Sequence, residues 1–127
     1  MNINLLNPMI LAENYEELIE WYIKTFDLTI RDKVEEGDEY TELGQSDKLI
    51  LGIAKANEMG VKPSIPRNNT VIIQFSVSDI NKLFDKVGKT GGRILFGPSI
   101  DEKGEYLYGG FADIEGNQTW VVEKKDD

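Results

Sequence analysis

The sequence contains no cysteine and no histidine. The absence of cysteine excludes disulfide bonds, thiolate metal sites and a cysteine nucleophile, and it is compatible with a reducing compartment. The absence of histidine removes the commonest metal ligand and the commonest general base near neutral pH. A Ser-His-Asp triad, a histidine zinc site and a histidine proton shuttle are therefore excluded, and the sequence predicts no cofactor.

Long apolar runs and an excess of positive charge are also missing. No run approaches the roughly 18 apolar residues that a membrane span needs, and the first residues lack the basic region of a signal peptide. The net charge is −9 and the pI is about 4.5. Because such a surface repels phosphate backbones and anionic lipid, we expect binding to neither nucleic acid nor membrane. The lack of cysteine and of a signal peptide leads us to expect a cytoplasmic protein. The same charge would tolerate or steer a cationic ligand.

Two stretches of the chain show a strand followed by an amphipathic helix. In the first, Asn14 is a candidate N-cap, and apolar side chains recur at three- and four-residue steps through residues 18–26. In the second, an alternating β-branched run ends at residues 78–79, either of which can cap a helix. The apolar stripe that follows stops at the glycine pair 91–92.

These stretches are one pattern written twice, with Asn14 corresponding to Asp79 and Leu18 to Leu83. Three further strand-like segments follow each helix: 28–35, 39–44 and 48–55 in the first half, and 93–97, 105–113 and 118–125 in the second. Each half is therefore predicted to be β-α-β-β-β, and such a duplication suggests two half-sheets that must pair. We expect a single domain over residues 1–127, with module one at about 1–56, a linker at about 57–69 and module two at about 70–127.

This repeat, with "F-x-V-x-D" at 75–79 and "FADIEGN" at 111–117, resembles the vicinal oxygen chelate superfamily. That group holds glyoxalases, bleomycin-resistance proteins, fosfomycin-resistance transferases and extradiol dioxygenases. The second motif looks like the family's F-x-D-P-D-G-N turn, with Ile114 and Glu115 as departures from it. The resemblance implies an α+β fold in which two βαβββ modules form a curved, cup-shaped mixed sheet. The helices would cover its convex side, and the ligand would lie in the concave cup.

The resemblance also implies where a metal would be bound. Metal-dependent members typically carry His, Glu, His and Glu on the first and last strands of each module. The matching positions here are Asn7, one of Leu49, Leu51 or Ile53, then Ile72, and finally Trp120. Since this set offers one neutral oxygen donor, we expect no metal site of the family type. Strand parity places Glu123 on the opposite face from Trp120.

Strand alternation and the resemblance together predict the side chains that line the cup. They are Asn7, Met9, Leu11, Ile72, Gln74, Ser76, Tyr106, Tyr108, Trp120 and Val122. The two tyrosine assignments depend on the absence of a bulge at the glycine pair 109–110. An aromatic lining can stack a planar ligand or hold a cation. Alternatively, these side chains fill the cup as a second core.

Three functions are compatible with these patterns. The favoured one is a metal-independent small-molecule-binding protein of the glyoxalase/bleomycin-resistance type, which holds a planar or cationic ligand for resistance or sequestration. The alternative is an enzyme of the same superfamily with a non-standard metal site or with acid–base chemistry from Glu42, Tyr106 or Tyr108. No residue is assigned as catalytic, and Glu42 is the candidate for a general base. The third is an interaction module, and relatives of this length lead us to expect a homodimer.

Overall fold

The chain forms two helices and eight strands, in an order that repeats once. The computed structural model describes residues 1–36, 39–62 and 71–124. The first half contains β1 (Met9–Ala12), α1 (Tyr15–Phe26), β2 (Thr29–Val34), β3 (Tyr40–Gln45) and β4 (Lys48–Lys55). The second half contains β5 (Ile73–Ser76), α2 (Ile80–Lys89), β6 (Arg93–Ile100), β7 (Tyr106–Ala112) and β8 (Gln118–Lys124). The predicted α+β plan of two βαβββ modules is confirmed.

Each module builds its own four-stranded mixed sheet, in the orders β1-β4-β3-β2 and β5-β8-β7-β6. In each sheet the first strand runs parallel to the last one, and the other pairs are antiparallel. The chain divides into two compact units between residues 63 and 64. Of the predicted linker, residues 63–69 lie outside the described residues, as does residue 125 of the last predicted strand.

Helix α1 buries its apolar stripe against one face of the first sheet. It begins after Asn14, whose side chain makes no capping hydrogen bond, and it ends at Asp27 in the left-handed conformation. Leu18 and other stripe residues are buried. The hydroxyl groups of Tyr15 and Thr41 lie 2.6 Å apart in a buried hydrogen bond that links the helix to β3. These two buried hydroxyl groups therefore satisfy each other.

Helix α2 covers one face of the second sheet in the same way. It begins after Asp79, whose carboxylate accepts a hydrogen bond of 3.1 Å from the backbone N–H of Lys82. The ring of Phe84 meets the fully buried ring of Phe111 edge-to-face, with centroids 5.9 Å apart. Such pairs add to the stabilisation from burial alone, so this contact anchors the core of the second unit. Neither α1 nor α2, the helices of the described residues, is long and apolar enough to span a membrane.

The turn between β7 and β8 is organised by the carboxylate of Asp113. This group is buried and accepts hydrogen bonds of 2.9 Å from the backbone N–H groups of Glu115 and Asn117. The Asn117 side-chain amide donates to it as well, at 2.9 Å. Gly116 follows with φ of +89°, a conformation that favours glycine. The "DIEGN" motif is therefore a self-satisfied turn that sets where β8 begins.

The hairpin between β6 and β7 is held by Asp101 in a similar way. Its carboxylate accepts hydrogen bonds from the backbone N–H groups of Tyr106, Glu105 and Lys103, at 2.9, 2.7 and 3.3 Å. These hydrogen bonds, that of Tyr106 first, favour the charged form and lower the pKa of Asp101 below its ordinary value.

Replacing Asp101 with asparagine is expected to make stability less sensitive to acid. Because the folded pKa of Asp101 lies below its unfolded value of about 4, its carboxylate stabilises the fold above that pH. This contribution is lost as the pH falls through the folded pKa. The difference in thermal midpoint between the parent and Asp101→Asn should be largest near neutral pH and shrink below about pH 4. A difference that stays constant across this range would contradict a role for the charge.

Candidate functional site

In each unit, the sheet has one face under its helix and one opposite face, here named the open face. On β1 the buried Ile10 and Ala12 alternate with the more exposed Met9 and Leu11. On β8 the buried Thr119 and Val121 alternate with Trp120, which is 42% exposed. Cross-strand partners share a face, so the strand register extends these assignments over each sheet.

The open face of the second sheet carries four aromatic side chains in a row, here named the aromatic row. Its members are Trp120, Phe96, Tyr108 and Tyr106. Their ring centroids are 5.5 Å apart for Trp120 and Phe96, 6.4 Å for Phe96 and Tyr108, and 6.1 Å for the two tyrosines. Trp120, Phe96 and Tyr106 are each more than a third exposed. The row is therefore a continuous aromatic surface and not a buried core.

Gly110 makes room for the two rings at one end of this row. It pairs with Trp120 on one side and with Phe96 on the other. A Cβ atom at this position would lie 2.8 Å from Cδ1 of Trp120 and would overlap the ring of Phe96. The missing side chain therefore lets both rings lie across the strand.

The glycine pair 109–110 does not disturb the pairing of β7 with β8. The register runs without a shift from Tyr106, opposite Lys124, to Ala112, opposite Gln118. Tyr106 and Tyr108 therefore share the open face with Trp120, as simple alternation predicts. The irregularities of this sheet lie in β6 instead, on both sides of Phe96.

Phe96 is the aromatic open-face residue that sequence reasoning missed. Alternation from Ile94, which pairs with the buried Phe111, would place Phe96 under the helix. The register shift between Ile94 and Phe96 reverses this parity and brings Phe96 opposite Gly110. The sequence signal for Phe96 is Gly110. This residue pairs with Trp120 and has no side chain, so a ring from the next strand can lie across it.

The open face of the first sheet carries a polar group built on Tyr40. Its hydroxyl donates to the Glu42 carboxylate at 3.2 Å and lies 3.5 Å from the side-chain amide nitrogen of Asn7. The ring lies across Gly52, where a Cβ atom would be 2.5 Å from the hydroxyl oxygen. Glu42, the candidate general base of the sequence analysis, therefore lies within hydrogen-bonding distance of Tyr40.

The pKa of Tyr40 is raised above its ordinary value. Burial is the largest cause, and the carboxylates of Glu42 and Asp32 add to it, while the hydrogen bond from Asn7 acts in the opposite direction. Tyr40 therefore stays a neutral phenol over a wider pH range than a free tyrosine. In this state it can donate a proton or a hydrogen bond.

A sequence profile of the glyoxalase/bleomycin resistance protein/dioxygenase superfamily matches residues 4–121. The chain belongs to this superfamily. A search of curated proteins gives no sequence match for this superfamily member.

Solved structures of similar fold include several from bacteria. A hypothetical protein, SA1046, from S. aureus superposes with a TM-score of 0.75 at 15% identity, covering 97% of this chain and 95% of that one. The fosfomycin resistance protein FosX from Listeria monocytogenes gives 0.74 at 10% identity, covering 98% and 96%. A glyoxalase/bleomycin resistance protein/dioxygenase family enzyme from Burkholderia phytofirmans gives 0.71 at 13%, covering 94% and 97%. At these identities the likeness shows the fold alone.

The positions that match the superfamily's metal ligands do not fit a metal in this member. Trp120 and Ile72 carry no ligand atom, and Asn7 has one neutral amide oxygen, while its amide nitrogen donates to the Pro8 carbonyl and the Tyr40 hydroxyl. Among the residues that the structure describes, no group of three or more Asp, Glu, His or Cys is placed to hold a metal ion. We therefore derive no chemistry through a metal.

The second matching position, on β4, requires a correction. The sequence interpretation placed Leu49, Leu51 or Ile53 on the cup side, but Leu51 pairs with Leu43 and Ile53 with Thr41 under the helix. Both are buried, at 1% and 0% exposure. The reason is that β4 shifts register once against β3, which the sequence does not reveal. Gly52 holds the position equivalent to Trp120, since it pairs with Met9 as Trp120 pairs with Gln74.

Glu123 lies on the helix side of the second sheet and has a structural partner there. Its carboxylate accepts a hydrogen bond of 2.7 Å from the backbone N–H of Ile80, the first residue of α2. An acidic group at a helix N-terminus satisfies an unpaired N–H and interacts favourably with the helix dipole. Glu123 therefore ties β8 to α2.

Replacing Glu123 with alanine is expected to lower the free energy of unfolding by about 0.5–2 kcal/mol, since α2 loses a capping acceptor. Glu123→Gln keeps an acceptor oxygen and should lose less. Urea unfolding of the parent and both variants measures the difference. If alanine were as stable as glutamate, the capping role would be wrong.

Proposed function

We propose that the chain is a metal-independent small-molecule-binding protein that holds a planar ligand on the open face of its second sheet. The observation that carries the proposal is the aromatic row. Ligand sites are mostly apolar and aromatic, with a few polar groups that fix orientation. Gln74 and Ser76 are the polar neighbours, on the strand that pairs with β8.

The proposal keeps the predicted ligand-binding set of both modules. In the second unit it contains Ile72, Gln74, Ser76, Tyr106, Tyr108, Trp120 and Val122, to which we add Phe96. Asn7, Met9 and Leu11 belong to the first unit and stay predicted binding residues of that unit alone. The rings of the second unit accept a stacked planar molecule, and ring faces also attract cations.

Resistance or sequestration is the role that such binding would serve, with the chain acting as a cytoplasmic homodimer. Support for the role comes from superfamily membership and from the fold shared with a fosfomycin resistance protein. Support for the compartment comes from the lack of cysteine. Analytical sedimentation tests the oligomeric state separately.

Isothermal titration of chelator-treated protein with a set of planar aromatic compounds tests the proposal. We expect saturable binding of at least one compound, with the same affinity before and after chelation. Binding that appears only when a divalent ion is added would overturn metal independence. Failure of every planar compound to bind would overturn the binding function itself.

A second candidate function is acid–base catalysis on the first sheet. The hydrogen bond of 3.2 Å between the Tyr40 hydroxyl and the Glu42 carboxylate favours it, since a neutral phenol next to a carboxylate can pass a proton. This function predicts that a bound compound is converted by the parent, while Glu42→Gln still binds it and does not convert it. Equal conversion by the parent and Glu42→Gln would remove Glu42 as the base.

A further inference from the structure

The charges on the open face of the second sheet have the opposite sign to the chain as a whole. Two charged side chains occupy open-face positions on its described strands, and both are cationic. Arg93 pairs with Ala112, which pairs with Gln118, at one end of the face. Lys124 pairs with Tyr106 at the other end. No aspartate or glutamate of β5 to β8, as far as the structure describes them, shares this face.

The carboxylates next to these strands are already used elsewhere. Asp101 accepts hydrogen bonds from backbone N–H groups of the β6–β7 hairpin, and Asp113 accepts them from the turn between β7 and β8. Glu123 faces α2 and accepts the N–H of Ile80. Within the described part of the chain, no ion pair joins Arg93 or Lys124 to a carboxylate. Both cations are exposed and remain available to an added anion.

Arg93 lies closer than Lys124 to the Trp120–Phe96 pair, which forms one end of the aromatic row. Along β7, its partner Ala112 is two residues, or about 7 Å, from Gly110, which pairs with both Phe96 and Trp120. Along β8, Lys124 is four residues, or about 13 Å, from Trp120. A ring stacked at Trp120 and Phe96 therefore has the guanidinium of Arg93 as its nearest cation.

The chemistry of the guanidinium selects the charged group of the ligand. Arginine presents a planar fork of donors that matches the two oxygens of a carboxylate, which a lysine does not. The net charge of −9 repels an anion mainly through charges that are distant from the site. At physiological salt, such exposed charges are screened beyond about 8 Å, so their repulsion is weak. The local contact therefore outweighs the overall charge.

We infer that the open face of the second sheet binds a planar aromatic anion, with its ring against Trp120 and Phe96 and its carboxylate against Arg93. The inference rests on the proposed binding function and names the class of its ligand. It replaces the preference for a cation that the net charge suggests.

Three naphthalene compounds with the same ring and different charge test the inference. They are 2-naphthoate, 2-naphthalenemethanol and 2-naphthylmethylammonium, titrated by calorimetry into the parent chain, Arg93→Met and Lys124→Met. Naphthoate should bind tightest to the parent. Arg93→Met should weaken naphthoate by about tenfold or more, as expected for a lost hydrogen-bonded charge, and Lys124→Met by less than about threefold. The alcohol should bind the parent and Arg93→Met equally, which shows that the ring surface of the variant is intact.

Each other outcome contradicts a separate part of the account. If the alcohol or the ammonium compound binds the parent as tightly as naphthoate, the inference fails and the proposed binding function stands. If Lys124→Met weakens naphthoate as much as Arg93→Met, the assignment of the carboxylate to Arg93 is wrong. If none of the three compounds binds, the proposed function fails together with the inference.

Discussion

Replacing Trp120 with alanine is expected to weaken the binding of a planar aromatic compound by about tenfold or more. Truncation of a central aromatic anchor typically costs more than about 1–2 kcal/mol of binding free energy. Trp120 of β8 pairs with Gly110 of β7, which pairs with Phe96 of β6, so that the rings of Trp120 and Phe96 meet across the strand between them. Calorimetric titration of the parent and Trp120→Ala measures the loss.

The fold should tolerate this replacement, because Trp120 is 42% exposed and lies on the face opposite to α2. Trp120→Phe is the matched control, since it keeps a ring in place and should bind with intermediate affinity. A parent-like affinity in Trp120→Ala, with the thermal midpoint unchanged, would show that the ligand lies elsewhere.

Replacing Phe111 with alanine is expected to destabilise the second unit by about 3–5 kcal/mol, the usual cost of removing a buried phenylalanine. Phe111 is fully buried and meets Phe84 edge-to-face at 5.9 Å. The change removes both apolar burial and an aromatic pair, and it leaves a cavity under α2. Urea unfolding followed by far-ultraviolet circular dichroism measures the loss.

Phe96→Ala is the matched control for Phe111→Ala. The two residues have the same side chain and lie in neighbouring strands, but Phe96 is 37% exposed and belongs to the open face. Its removal should cost about 1 kcal/mol or less of stability, since an exposed aromatic contact is worth little more, while binding falls. Equal destabilisation by both changes would contradict the assignment of the two faces.

The elements of this fold could be predicted from sequence because their signals are local. Asp79 before an apolar stripe marks the start of α2, and the glycine pair 91–92 marks its end. The parity of β8 could also be predicted, because the turn at 113–117 fixes where that strand begins. Trp120 and Glu123 thus fall on opposite faces, as expected.

The parts that sequence reasoning missed depend on strand register. Leu51 and Ile53 were assigned to the wrong face because a register shift separates Leu43 from Gly44, and hydrophobic alternation does not show such a shift. Phe96 was missed for the same reason, on β6. The partner of Glu123 also depends on tertiary contact, since Ile80 lies 43 residues away along the chain.

The candidate site could be predicted in outline only. The open-face positions of Trp120, Tyr106 and Tyr108 follow from alternation, because the turn at 113–117 fixes where β8 begins. The continuous row also needs Phe96, which connects Trp120 to Tyr108 and lies across Gly110. Their role in binding stays a prediction. The charge of the ligand illustrates the same limit, since net charge favours a cation and the placement of Arg93 favours an anion.

The two tryptophans provide the most direct test, because each has one indole N–H that gives its own signal in a nitrogen-15 correlation spectrum. Trp120 lies on the open face, while Trp21 is 4% exposed within the first unit and serves as an internal control. On titration of chelator-treated protein with 2-naphthoate, the Trp120 indole signal should shift saturably and the Trp21 signal should stay in place. A Trp120 signal that moves with none of the three naphthalene compounds, or that moves only after a divalent ion is added, would contradict metal-independent binding at the aromatic row.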